Sequence, residues 1–100
     1  MTIEELRTEI RRKMDEVLLR NPSVACTERI LTLHEILMLT WEKEPATLEE
    51  WIGREYRRYD RDYRESESFE EYEQAAYDRG QRAAYFAVLA KIKRDEENDN

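Results

Sequence analysis

Apolar residues recur every three or four positions along most of this chain, and the phase of that recurrence breaks at three places. Ile3, Leu6, Ile10, Met14 and Val17 make one narrow stripe with charge on the other sides, the pattern of a helix that lies on a core with its back in water. Between residues 22 and 43 the apolar positions Ile30, Leu31, Leu33, Ile36, Leu37, Met38, Leu39 and Trp41 are too many for one stripe, which predicts a central, most buried second helix. In the third stretch Leu48, Ile52, Tyr56, Tyr59 and Tyr63 share a face with Trp51 on its flank. Tyrosine there predicts rings packed at the rim of the core and hydroxyls in water. The fourth stretch carries a small-residue spine, Ala76, Gly80, Ala83, Ala87 and Ala90, and a second apolar row, Tyr85, Val88, Leu89 and Ile92, on another side. A helix with two apolar faces needs two neighbours.

Local signals place the helix starts. Thr2-Ile3-Glu4-Glu5, Thr47-Leu48-Glu49-Glu50 and Ser68-Phe69-Glu70-Glu71 each read as a capping box, in which the hydroxyl accepts from an amide three residues on and a glutamate reaches back. Asn21-Pro22 reads as a fourth start, with Asn21 as N-cap and Pro22 in the first turn, where its missing N–H costs nothing. The predicted helices are 2–20, 22–43, 47–65 and 68–94. Uneven spacing of the starts argues against a solenoid repeat.

One hundred residues with 40% hydrophobic content suffice for one modest core, and two glycines and two prolines leave little to turn strands on. The expected fold is all-α: a compact four-helix bundle-like domain over residues 1–94 with a buried second helix, followed by a disordered acidic tail at 95–100. The net charge of −7 suggests a mimic of nucleic acid until its distribution is counted. Residues 1–94 carry 17 bases and 20 acids, whereas Asp95-Glu96-Glu97-Asn98-Asp99-Asn100 holds four acids and no base. The folded body is close to neutral, without the dense acidic face that mimicry requires. A single cysteine, Cys26, excludes an internal disulfide and points to a reducing, cytoplasmic setting. Neither a leader nor a membrane-spanning run is visible, so no membrane partner is expected.

Candidate chemistry is sparse. No glycine-rich phosphate loop, paired Cys/His spacing or nucleophile elbow occurs, so no catalytic residue, metal or cofactor is assigned and the chain is not expected to be an enzyme. His34, the lone histidine, reads as a buried structural residue, and Cys26 as a small core-facing thiol. The acidic run Glu67, Glu70, Glu73 and Asp78 could suit a metal-dependent all-α nucleotide pyrophosphatase only if a facing acidic helix completed it, and none is apparent.

Two surfaces remain. Arg54, Arg57, Arg58, Arg61 and Arg64 gather on the side of the third helix opposite its tyrosines, an anion-binding candidate that could serve a nucleic-acid-associated protein. The competing reading is a solvated face held by the pairs Glu50–Arg54, Arg58–Asp62, Arg61–Glu65 and Asp60–Arg64. The row Tyr85, Val88, Leu89 and Ile92 is the partner-binding candidate, unless the first helix covers it. The expected function is a small cytoplasmic protein-protein interaction module: an adaptor, a regulator, or a phage-encoded inhibitor of a host defence enzyme. Its partners would be another protein and, through the fourth helix, a second copy in a homodimer.

Overall fold

A computed structural model describes residues 2–20 and 22–98. Four helices account for nearly all of it: α1 (Ile3–Leu18), α2 (Val24–Leu39), α3 (Pro45–Ser68) and α4 (Tyr72–Asn98). The all-α, four-helix bundle-like expectation holds.

The boundaries follow local chemistry, though not always the chemistry expected. Thr2 caps α1 as predicted, its hydroxyl accepting from the Glu5 amide at 3.1 Å. For α2 the cap is Ser23, whose hydroxyl accepts from the Cys26 amide at 3.1 Å. Pro22 therefore precedes the cap, and Asn21 lies outside the described residues. The capping box at Thr47 is a correction: α3 starts two residues earlier, with Glu44 in the N-cap position and Pro45 opening the first turn. A proline at N1 is preorganised for helix and needs no hydroxyl partner.

The box at Ser68 is a second correction, because Ser68 is the last residue of α3. That helix closes in a Schellman motif, with the Glu71 amide donating to Ser66 O at 2.8 Å and the Glu70 amide to Glu67 O at 3.1 Å. The residue forced into left-handed geometry is Glu70, at φ 58°, where glycine is the usual choice. At the far end α4 continues through Asn98, and Lys91 pairs with Asp95 at 3.1 Å. Residues 95–98 of the expected disordered tail are thus helical, and the last two lie outside the described residues.

Packing is organised by α4, which touches α3, α2 and α1. Against α3 it runs antiparallel, with Arg82 bonded to Asp60 at 3.0 Å, Ser66 donating to Asp78 at 3.0 Å, and the Tyr56 and Phe86 rings 5.7 Å apart. Against α2 it runs parallel, and Gly80 is the point of closest approach. A Cβ there would lie 2.3 Å from the Ala25 carbonyl oxygen. The two apolar faces of α4 therefore find both neighbours inside the chain. This revises the expectation that α2 is the most buried element: α2 supplies Leu33, Ile36 and Leu37 to the core but shows Leu31 and Met38 to solvent.

The core joins Leu6 and Ile10 of α1, these α2 residues, Leu48 and Ile52 of α3, and Ala84, Tyr85, Val88 and Ile92 of α4. The stripe predicted for α1 is the one used, with Leu6, Ile10 and Val17 buried. Arg7 joins α1 to the end of α2. Its Nε donates to Thr40 Oγ1 at 2.9 Å and its Nη2 to the Thr40 carbonyl at 3.0 Å, its guanidinium lies 4.0 Å from the Trp41 ring centre, and Glu4 completes its partners. A cation there also meets the negative end of the α2 dipole.

Candidate interaction surfaces

The row expected to face a partner is inside the protein. Tyr85 is 3% exposed and Val88 and Ile92 are buried with it, while Leu89 packs half-buried against the core. The reason is the α3–α4 hairpin. Tyr85 stacks on Tyr59 at 5.5 Å and lies against Trp51 at 5.7 Å, so α3 covers the Tyr85 end of the row, while Ile92 sits beside Ile3 and Leu6 of α1. Burial pushes the Tyr85 phenol well above its ordinary range. Tyr85, Val88 and Ile92 are withdrawn as partner-binding residues. Leu89 reaches a surface groove lined also by Gly53, Arg57 and Lys93, and the edge of Ile92 lines a second one with Ile3, Leu6 and Pro45.

Apolar surface emerges elsewhere. Because α1 and α2 form one hairpin, α3 and α4 another, and α2 and α4 run parallel, the α1–α2 and α3–α4 turns lie at the same end of the molecule. Leu18, Leu19, Val24, Phe69, Tyr72 and Tyr77 are exposed at that end, with Leu19 at 89%. Val24 and Tyr77 share a shallow cleft of about 390 Å³ with Pro22, Ser23, Thr27 and Glu28. Arg20 and Arg29 flank the first of these turns. Arg29 has its Nε buried without an acceptor, and burial, then the nearby Arg20 charge, lowers its pKa. The sequence held a signal for this surface. Leu18 and Leu19 follow Val17, where the α1 stripe has already found its core contacts, and stand directly before a turn that has nothing to pack on them.

The arginine ridge is where the sequence placed it. Arg54, Arg57, Arg58, Arg61 and Arg64 are all exposed. Of the expected pairs, Asp60–Arg64 forms at 3.1 Å, whereas Arg58 turns back to Glu55 at 3.6 Å and Arg61 lies 4.0 Å from Asp62. Among the described residues Arg54 and Arg57 make no ion pair. The tyrosines behave as rim residues: Tyr63 donates to Glu67 at 2.7 Å, and Tyr59 accepts from Arg58 at 3.0 Å. Arg58 lies over the Tyr59 ring at 4.7 Å and Arg82 over the Tyr63 ring at 4.1 Å, so neither face is open for a base to stack on. Asp60, Asp62 and Glu65 stand among the arginines and would oppose a polyanion.

His34 is exposed, which corrects the buried structural role expected for it, and Cys26 is half-buried. Among the described residues no three His, Cys, Asp or Glu side chains gather closely enough to hold a metal ion. Asp78, from the acidic run, is buried and accepts from Ser66 and from Gln74 at 3.2 Å, which makes it a tie within the hairpin. No described helix is long and apolar enough to cross a membrane. Comparison with protein-family models, curated proteins and solved structures finds no match.

Proposed function

We propose that the protein acts in the cytoplasm by binding another protein, as an adaptor, regulator or inhibitor, and catalyses no reaction. The observation that carries this reading is the exposed apolar end: Leu18 and Leu19 where α1 closes, and Val24 and Tyr77 sharing a cleft at the same end of the molecule. Large apolar side chains gathered at one end of a chain in this way are the kind of surface that marks contact sites. A partner that covers these side chains would gain about 25 cal/mol for each Å² of apolar area removed from water. Arg20 and Arg29 at the border would give the contact direction and, with an acidic partner, a faster encounter. The lone thiol and the highly charged surface support the cytoplasmic setting.

A photo-reactive phenylalanine analogue tests the surface. Placed at position 19 and irradiated in an extract of the source cells, it should yield a discrete heavier product, and the same group at exposed Thr8 should not. Equal labelling from both positions, or none from position 19, rejects this end as the contact site.

A further inference from the structure

α2 carries more apolar residues than its core contacts use, and the surplus is ordered. Val24, Thr27, Leu31, His34, Met38 and Trp41 are all exposed and follow one another at steps of three, four, three, four and three. That alternation is the seam of a coiled coil, a row on one helix that interdigitates with side chains of a second. Four of the six are large apolar groups. Leu31 is 53% and Met38 52% exposed in the body of the row, and Trp41 stands just past the helix end. α1 and α4 pack on the other sides of α2, so nothing in the chain covers this one among the described residues. One border of the row is acidic. Glu28 flanks it on the side of α4, where the Gln81 amide donates to it at 3.4 Å, and Glu35, two helical turns further on, falls on the same border. Among the described residues neither glutamate makes an ion pair, and the exposed face of α2 carries no lysine or arginine.

We propose that this face receives an amphipathic helix of a partner protein, with apolar side chains at the same alternating steps and lysine or arginine along the border that meets Glu28 and Glu35. The inference rests on the reading that the chain works by binding a protein, and extends the contact from the turns, where Val24 stands, along the length of α2. Apolar anchors at helical spacing supply the affinity. The acidic border selects the helix and fixes its direction, because a helix with one basic flank, turned end for end, carries that flank to the wrong side. The α2 of a second copy is the poorer occupant. Antiparallel about Leu31, it sets Glu28 beside the second copy's Glu35, and in either direction its exposed face brings no base to that border.

The probe is a synthetic three-heptad peptide with leucine at the seam positions and lysine at the flanking ones, beside a twin with glutamate in place of lysine. Each is labelled, kept dilute enough to stay single, and titrated with the full chain while fluorescence anisotropy is read. The lysine peptide should bind saturably, and the glutamate twin about tenfold more weakly or worse. A Leu31→Asp, Met38→Asp double variant should lose about tenfold or more in affinity for the lysine peptide. A Glu28→Lys, Glu35→Lys double variant should reverse the preference between the two peptides. Circular dichroism of each variant separates a lost contact from a lost fold. The proposal is overturned if neither peptide binds, if both bind equally, or if the aspartate variant binds unchanged. A concentration-dependent dimer, seen by sedimentation and lost in the aspartate variant, would give the face to a second copy and overturn it equally. None of these measurements uses position 19, so labelling there together with failure of the peptides would keep the contact at the turns and remove only the helix along α2.

Discussion

The two glycines, both inside helices, should respond to the same substitution with opposite signs. Replacing glycine by alanine within a helix ordinarily stabilises it by about 1 kcal/mol, through backbone entropy. At Gly53 that gain is available: an added Cβ would meet only the end of the Arg57 side chain, at 3.5 Å, an ordinary contact with a group free to move. At Gly80 the methyl would lie 2.3 Å from the Ala25 carbonyl oxygen, 2.8 Å from Glu28 Cβ and 3.1 Å from the Ala25 carbonyl carbon. Comfortable separations begin near 3.5 Å, so α2 and α4 must part by about 1 Å along the seam. Overpacking of this kind costs about 1–3 kcal/mol, and the obstacle is backbone, which cannot rotate aside as a side chain can. For a backbone obstacle the upper part of that range applies, about 2–3 kcal/mol, so after the propensity gain of about 1 kcal/mol is subtracted Gly80→Ala should still lose about 1–2 kcal/mol. For a domain of this size the melting temperature should fall by about 4–8 °C per kcal/mol. Urea unfolding followed by circular dichroism, with Gly53→Ala as the control, reads both signs. If Gly80→Ala proves as stable as the unmodified chain, the close α2–α4 contact is wrong, and with it the central position of α4.

Three further outcomes follow from particular contacts. Arg7→Leu should destabilise the fold by about 2–3 kcal/mol, because it strands the Thr40 carbonyl and removes a charge-assisted tie between α1 and α2; chemical denaturation measures it. Glu70→Gly should raise stability by about 0.5–1 kcal/mol, since glycine adopts φ 58° without the steric cost that a side chain carries there, and a rise in melting temperature would show it. Burial, then a hydrogen bond with Glu96, holds the Glu49 carboxyl above its ordinary range. The folded state thus binds that proton more tightly than the unfolded state, and the resulting stabilisation is full below the ordinary carboxylate pKa and lost as pH rises through the raised value. Glu49→Gln should be more stable than the unmodified chain at pH 7, with the advantage vanishing near pH 4; an advantage independent of pH would contradict the assignment.

Periodicity made the helices and most of their inward faces legible. The α1 stripe and the α3 row of Leu48, Ile52 and three rim tyrosines were readable because each helix meets its neighbours along one side only. Capping boxes at Thr47 and Ser68 misled because the motif is local. It does not register that Pro45 has already opened α3 or that α3 has not yet ended at Ser68. The surplus row on α4 was correctly seen as needing a second neighbour, but which element supplies it is a property of chain topology. Three aromatic rings of α3 and α4, Trp51, Tyr59 and Tyr85, close over that position from residues far apart in sequence. The ridge from Arg54 to Arg64 was legible since an exposed helical face depends only on spacing. Of the apolar end only Leu18 and Leu19 were legible, as leucines standing before a turn; that a second turn joins them is visible only in the folded chain, which brings the two to one side.

Comparative capture from cells that make the protein decides whether that end is where it works. The unmodified chain and a Leu18→Asp, Leu19→Asp double variant, matched in helix content and melting temperature, would be used side by side, with bound proteins quantified by mass spectrometry. The expected result is at least one protein retained by the unmodified chain and reduced tenfold or more on the double variant, whose stability is unchanged because neither leucine is in the core. Identical sets of bound proteins on the two chains would contradict it.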